Sequence, residues 1–532
     1  MNITAILSFL GFTLSLAVLS WYKSRKNRAR TVSDFFMANK NLSFVFIGSG
    51  LLFSNINTAT IVGENELAFT GNMSIMAWGI TSVLAMLIVS EFLVPNYLKL
   101  GIATTPDFLS MRYSPEIGKA VSVIFLLSYV VNLLPSVLYG GAIAFDGLFH
   151  ISELLRINYT ATIWILVWVI GAAGGLYAVI GGLRAITVSD TFLGLGFFAG
   201  GIILPVFALK YVGRGNVLSG LSVVLSKHTD HLNSIGSATD PIPFSTLFTG
   251  MLLVNLYYWG TEQYIIQQVL SSRDLKNSQK GITLACFGKL ISPLLLNIPG
   301  VIAVHIFSKL KNPAEVFPRL NSLTAPPALA GYIAAIVFGT ALSTFNAGLN
   351  SSSTLFILNI YKPAMKKKGR VLPESDLLRK AKLFEIAICL AAMFIAPFIL
   401  LVKNGFYAYV QIVNGFFNVP IFTILIIGLL TKRVPAIAAK IGLVFFITIY
   451  AFTQLIFNTH IHFLHILAIL FLLTSALMLI IGKFFPAPNA FHLKQLQQID
   501  AKPWKYRHFY SMLLIMMMIG VFLVFSRFGL AK

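Results

Sequence analysis

Within the apolar stretch from about Ala328 to Tyr361, the run Gly339-Thr340-Ala341-Leu342-Ser343-Thr344-Phe345-Asn346-Ala347-Gly348-Leu349-Asn350-Ser351 carries groups that hydrocarbon does not solvate. Gly339, Ser343, Asn346 or Ala347, and Asn350 recur at steps of three and four, which on a helix gathers one small, polar stripe with apolar flanks. On a membrane helix, hydroxyls and amides need partners, because no water reaches them there. The stripe must therefore face protein, a cavity or an ion. Ser343 and Thr344 offer two adjacent hydroxyls, the hard oxygen ligands that a cation such as sodium prefers. Thr340 lies one turn earlier, and its carbonyl joins them if the helix loosens. A second polar run, Ser54-Asn55-Ile56-Asn57-Thr58-Ala59-Thr60, interrupts another apolar segment. Unwound there, the chain exposes the carbonyls of Phe53 and Ile56. Phe53, Ile56, Thr340, Ser343 and Thr344 together supply a sodium shell with no carboxylate. A single Ser or Thr more often makes an intrahelical hydrogen bond, so the reading rests on the combination.

A third segment, Asn255-Leu256-Tyr257-Tyr258-Trp259-Gly260-Thr261-Glu262-Gln263, is interrupted in the same way. Two ionisable residues fall inside predicted spans, Glu262 here and Lys289 in Gly288-Lys289-Leu290. Each costs at least about 2.5–3.5 kcal/mol to insert, so each faces a cavity or a partner. Either the two pair, or Lys289 lines a solute site and Glu262 faces the cytoplasmic vestibule; the second is favoured. Asp190, close to Arg184, reads as an interfacial ion pair, and Glu91 and Glu385 as interfacial acids near cytoplasmic helix ends. Trp78, Tyr257, Tyr258, Trp259 and Tyr407 cluster about the predicted midplane. Such rings stack on sugar faces or act as thin gates, although most aromatics in spans only pack. Tyr258, beside an interrupted helix, is the gate candidate. His460, His462 and His465 read as a surface connection rather than a metal site. Cys286 and Cys389 both lie in spans and offer no metal-ligand spacing.

These residues need a scaffold, and the composition says which. Hydrophobic residues make up 57% of the 532-residue chain and charged residues 11%. Apolar runs long enough to cross a hydrocarbon core recur along nearly the whole length. The expectation is an all-α membrane protein of about 14 transmembrane helices in one bundle. The spans fall at roughly 4–22, 43–62, 76–98, 120–146, 159–180, 188–209, 244–270, 281–307, 328–360, 383–402, 406–431, 438–456, 462–483 and 509–526. The formal charge of +22 would suggest nucleic acid in a soluble chain. Here it follows topology. With the connection bearing Lys23, Arg25, Lys26, Arg28 and Arg30 inside, alternation places about 29 of the 40 Lys and Arg in the cytoplasm. The run Lys362, Lys366, Lys367, Lys368, Arg370 then falls inside as well. Both termini are expected outside an inner (cytoplasmic) membrane, and the first apolar segment reads as a retained span.

The second and seventh spans, both interrupted, sit five spans apart. That spacing points to two inverted five-helix repeats, each opening with a discontinuous helix. The expected division is a peripheral first helix with its basic connection (1–42), a first repeat (43–211), an extracytoplasmic loop (212–243), a second repeat (244–431) and peripheral C-terminal helices (432–532). No His/Asp/Ser set lies at membrane depth, so no enzyme is expected. Expected partners are a small-molecule solute, sodium and membrane lipid; no cofactor and no nucleic acid are expected. A proton-coupled carrier and a transporter-like channel stand as alternatives.

The stretches SNINTATIVG, GIATTPDFL, SVLYGG, YAVIGGLRAITVSD, NLYYWGTEQYIIQQ, SQKGI, LNSSSTLFILNIY and AKIG resemble the sodium:solute symporter family, most of all its bacterial sodium/glucose–galactose cotransporter branch. The resemblance covers about residues 30–500. It implies a leucine-transporter-like core working by alternating access and the sodium site named above, with Asp190 on the sodium exit path. It implies a solute site at Asn55, Thr60, Trp78, Gly79, Ser82, Asn255, Tyr258, Lys289, Tyr407 and Gln411, with Tyr258 as the inner gate. Two positions depart from the sugar-carrying relatives. Thr60 stands where they have glutamine, and Gly79, after Trp78, where they have glutamate. Without that glutamate Lys289 loses a nearby negative partner. The expectation is a more positive site, suited to a carboxylate-bearing solute such as a sugar acid.

Overall fold

A computed structural model describes residues 3–24, 31–37, 40–370, 372–402, 406–457, 461–492 and 502–531; side chains at 20, 21, 23, 24, 32–34, 177 and 179–188 are outside the description. Residues 25–30 of the basic run, the Lys23 side chain and His460 therefore lie outside the description. Among the described residues the chain is all-helical, and its one strand-like contact is an isolated bridge between Leu42 and Ser272.

The helices run in order as α1 (Ile3–Ser24), α2 (Phe44–Asn55), α3 (Thr58–Thr70), α4 (Met73–Leu100), α5 (Pro115–Phe149), α6 (Tyr159–Leu176), α7 (Ser189–Val212), α8 (Gly250–Gly260), α9 (Gln263–Leu270) and α10 (Leu275–Val304). There follow α11 (Pro327–Lys367), α12 (Glu374–Leu401), α13 (Phe406–Leu430), α14 (Ala436–Ile456), α15 (Phe463–Phe484) and α16 (Arg507–Val524). Among the described residues eleven are long and apolar enough to cross a membrane, and twelve spans result if the bent pair α2–α3 counts as one. The expected fourteen also include α1 and the α8–α9 segment, which is divided into two short helices.

Proline explains much of the local irregularity. Among the described residues four helices contain a π-helical turn: one, Phe452–Ile456, ends α14, and three lie at Val89–Leu93, Tyr129–Leu133 and Phe356–Tyr361. Each of these last three is followed two residues later by a proline, Pro95, Pro135 or Pro363. Proline has no amide to return to the carbonyl four residues back, and that carbonyl lies inside the π turn in every case. The turn in α5 brings Tyr129 and Asn132 to the central cavity described below.

The broken pair α2–α3 packs against α5, α7, α10 and α11. Small residues permit the approach: a Cβ on Gly48 of α2 would stand 2.8 Å from the Gly281 carbonyl oxygen of α10. The short helix Thr105–Arg112 opens with a capping box between Thr104 and Asp107. At its other end Arg112 caps the C-terminus of α13, donating to the carbonyls of Gly428 (2.8 Å), Thr431 (3.0 Å) and Val434 (3.1 Å). At the periphery the start of α16 is fixed by an Arg507–Glu91 ion pair of 3.1 Å.

Two expectations need correction. The second span does not stop near residue 62: the pair runs from Phe44 to Thr70 with a 56° bend. A bent segment needs more residues to traverse the same thickness than the straight helix assumed from sequence. Glu385 is not interfacial. It is 0% exposed and accepts a 2.6 Å hydrogen bond from Ser353.

Candidate functional site

The first part of the site lies where α2 ends. Asn57 is the N-cap of α3, its Oδ1 accepting from the Thr60 amide at 2.9 Å. In a continuous helix that amide would bond the Ile56 carbonyl. The Asn57 amide likewise turns to the Asn55 carbonyl at 3.1 Å, where a continuous helix would send it to Phe53. The break therefore releases the carbonyls of Phe53 and Ile56 from the helical ladder, and its cause is a single capping asparagine. Both residues are buried.

Opposite this break stands α11. The Thr344 hydroxyl donates to the Ser54 carbonyl at 3.3 Å, and the Ser343 hydroxyl donates to one oxygen of Asp190 on α7. The Ser54 hydroxyl donates to the other Asp190 oxygen at 3.3 Å, and Gln268 of α9 donates to Ser54 at 2.8 Å. Four helices thus converge on a small set of oxygens. Asp190 is 0% exposed and bonded to α2 and α11, which corrects its reading as an interfacial acid; the Arg184 side chain lies outside the described residues. A buried carboxylate therefore lies directly behind one of the expected ligand hydroxyls. The expected loosening at Thr340 is absent. The helix is unbroken from Pro327 to Leu355, so the Thr340 carbonyl could offer only its second lone pair.

Phe53 is keyed into α7. A Cβ on Gly194 would collide with the Phe53 ring, which also meets Phe197 and Phe198 edge-on at 6.3 and 6.0 Å. A Gly194→Val substitution should displace Phe53 and its carbonyl without removing any oxygen. If the Phe53 carbonyl is a sodium ligand, overpacking of about 1–3 kcal/mol weakens the sodium response roughly 5- to 150-fold. Titration of thermal stability with sodium chloride at constant ionic strength measures it.

The second part is a cavity of about 130 Å³ beside the break. It gathers Asn55 and Thr60 from the broken pair, Trp78, Gly79 and Ser82 from α4, and Asn255 and Tyr258 from α8. Lys289 from α10 and Tyr407 and Gln411 from α13 complete the set singled out from the sequence. Lys289 is 3% exposed and donates to Asn55 Oδ1 at 2.7 Å. It does not pair with Glu262, whose oxygens accept instead from the Tyr129 hydroxyl and, at 2.9 Å, from that of Tyr257. Glu262 is itself largely buried, as the N-cap of α9, and lines the same cavity as Lys289. Tyr258 shares a 2.7 Å hydroxyl–hydroxyl hydrogen bond with Tyr264 across the α8–α9 break. Tyr257 is not at the cavity; its ring stacks on Phe125.

Sequence reasoning missed Glu64, Asn132 and Asn414. Asn132 in the π turn of α5 donates to Asn414 of α13 at 2.7 Å, closing one wall of the cavity. Glu64 lines the cavity one helical turn beyond Thr60, so a carboxylate shares the cavity with Lys289. This corrects the expectation that Lys289 lacks a nearby negative partner. The signal is present, a carboxylate at i+4 from a site residue, but a span ending at residue 62 leaves it outside. Elsewhere on the α11 stripe, the Asn346 and Asn350 amides are buried without hydrogen-bond partners. His465 bonds Ser245 (3.1 Å) and Thr249 (3.0 Å), and His462 caps α15. These two histidines hold the connection to α15 rather than forming an open surface loop.

A family model described as the sodium:solute symporter family matches residues 35–445. The chain is 39% identical to the uncharacterized symporter YidK of Escherichia coli (strain K12), in an alignment covering 99% of this chain and 92% of that protein. It is 26% identical to the sodium/glucose cotransporter of Vibrio parahaemolyticus over 79% of each chain. Among solved structures it matches the substrate-bound, outward-open state of a Na+-coupled sialic acid symporter, with a TM-score of 0.78 at 17% identity over 93% of this chain and 100% of that one. It also matches Mhp1, a nucleobase-cation-symport-1 family transporter, with a TM-score of 0.55 at 14% identity over 90% and 98% of the two chains. At those identities the structural likeness is one of fold.

Proposed function

Since the chain belongs to the sodium:solute symporter family, whose members are transporters and not enzymes, we propose that it couples sodium entry to uptake of a small polar solute, a sugar or sugar derivative. The observation that carries this reading is the break at Ile56–Asn57. It frees two carbonyls opposite the Ser343 and Thr344 hydroxyls, and the same asparagine-rich turn lines a solute-sized cavity. One structural element therefore serves both ligands, which is the physical requirement for coupling.

Sodium at Phe53, Ile56, Thr340, Ser343 and Thr344 would fix the bend of α2–α3. That bend sets Asn55, Thr60 and their neighbours for the solute. Binding closes the outer path, the bundle rocks, and Tyr258 yields on the inner side. Sodium then leaves past Asp190. The surrounding architecture in this reading is a fourteen-helix, leucine-transporter-like bundle of two inverted repeats, α2–α7 and α8–α13. It lies in the cytoplasmic membrane with both termini outside. A tenfold sodium gradient supplies about 1.4 kcal/mol, and about 100 mV adds about 2.3 kcal/mol per charge. For one sodium and a neutral solute the sum sustains accumulation of roughly 500-fold at the ideal limit.

The test is thermal stabilisation of the purified, full-length protein. Sodium should raise its Tm relative to choline at fixed pH and ionic strength, and a transported solute should raise it further only when sodium is present. A response to pH with none to sodium would favour proton coupling and remove this reading.

A further inference from the structure

We propose that Glu64 is a specificity-determining residue of the solute cavity, which it shares with Lys289, and that the pair selects an uncharged polyhydroxyl solute over an anionic one. This deepens the sodium-symport reading and rests on it. Glu64 is 2% exposed and lines the same cavity as Lys289, Asn255, Trp78 and Tyr407. Although the two residues line one cavity, no ion pair within 4 Å joins them among the described residues. The Lys289 ammonium instead spends one of its three hydrogens on Asn55. The two side chains therefore keep apart and leave hydrogen-bonding capacity on each.

The unmet groups define the missing partner. Among the lining residues, Glu64 Oε2 and Asn418 Oδ1 are buried with no donor, and Asn255 Nδ2 and Trp259 Nε1 with no acceptor. In a low-dielectric interior such groups are satisfied by something. The complement of an orphan acceptor and an orphan donor in one small cavity is a hydroxyl group, which both gives and receives. A set of adjacent hydroxyls can serve Glu64, Asn255 and Lys289 together, with Trp78 and Tyr407 offering flat faces to the carbon skeleton. An anionic solute would satisfy Lys289 and Asn255 but bring a second negative charge close to Glu64 with no proton to give it.

The local packing shows why the acid stands at 64. At position 79 there is no room for any side chain, because a Cβ would collide with the ring of Pro293 on α10. On α3, Gly63 lets the Tyr407 ring lie directly on the helix backbone, next to Glu64. The carboxylate thus reaches the cavity from the broken helix itself, the element that sodium is proposed to fix.

The experiment is sodium-dependent thermal stabilisation of full-length wild type and Glu64→Gln, with glucose, myo-inositol, glucuronate and glycine betaine as probes. The expected result is stabilisation of wild type by a neutral polyol and not by glucuronate or betaine. In Glu64→Gln the apparent affinity for that polyol should fall about tenfold or more, the loss expected for one charge-assisted hydrogen bond. Sodium alone should still stabilise the variant, which shows that it folds. Stabilisation of wild type by glucuronate or betaine in preference to both polyols overturns the proposal, as does unchanged polyol affinity in Glu64→Gln. Either result leaves sodium coupling standing. A wild-type protein indifferent to sodium instead overturns the symport reading, and this inference with it.

Discussion

In a Ser343→Ala/Thr344→Ala protein, sodium should no longer stabilise the fold, and uptake in sodium should fall to its level in choline. Two of the five proposed ligand oxygens are removed. If each is worth about 1.5–3 kcal/mol, as for a hydrogen bond to a charged group, the pair accounts for about 3–6 kcal/mol, or more than 100-fold in sodium affinity. The helix itself should persist, because alanine is the best helix former and both hydroxyls point away from their own helix, to Asp190 and Ser54. Asp190 keeps its hydrogen bond from Ser54. Of the single variants, Ser343→Ala should be the more damaging, since Ser343 bonds the carboxylate and Thr344 a neutral carbonyl. Sodium titrations of Tm for the two singles and the double measure this. A double variant with an unchanged sodium midpoint would place the ion elsewhere.

A Lys289→Met protein should show the opposite signature, with sodium stabilisation retained and solute response lost by at least about 100-fold. Methionine preserves an unbranched chain inside α10 but removes the only cation at the cavity among its described lining residues. It leaves Asn55 Oδ1 without its 2.7 Å donor and Glu64 without an opposing charge. Orphaned buried groups of this kind cost about 1–3 kcal/mol each, so Tm should also drop. Adding Glu64→Gln should recover part of that stability without restoring uptake. A coupling energy of about 0.5–3 kcal/mol is typical for groups that share a site, and the double-mutant cycle measures it. Full additivity would mean that the two residues act independently.

The legibility of the site varied with the physics behind each signal. The polar run 54–60 announced a broken helix because a capping asparagine and free hydroxyls are costly inside an apolar segment unless the backbone there leaves the helical ladder. The end of that segment was not legible. A 20-residue span presumes a straight helix, whereas the 56° bend carries the pair on to Thr70 and brings Glu64 inside. Asp190 and Glu385 looked interfacial because a buried carboxylate is costly. Their partners, Ser54 and Ser343 for one and Ser353 for the other, come from segments more than 30 residues away. Three of the four π turns had a readable cause in Pro95, Pro135 and Pro363, but nothing local says that the one in α5 delivers Asn132 to Asn414.

From the sequence alone came a polytopic helical protein, two interrupted helices at matching places, a hydroxyl pair on a small polar stripe, and a resemblance strong enough to assign a family. Each is a property of composition or of spacing along one helix, so each survives without coordinates. Tertiary structure decided which acids share the sites. It placed Asp190 against Ser343, clamped Glu262 between two tyrosines, and put Glu64 in the same cavity as Lys289. The reason is that a charge in the membrane interior is stabilised by partners distant in the chain, and those partners are chosen by how the helices pack.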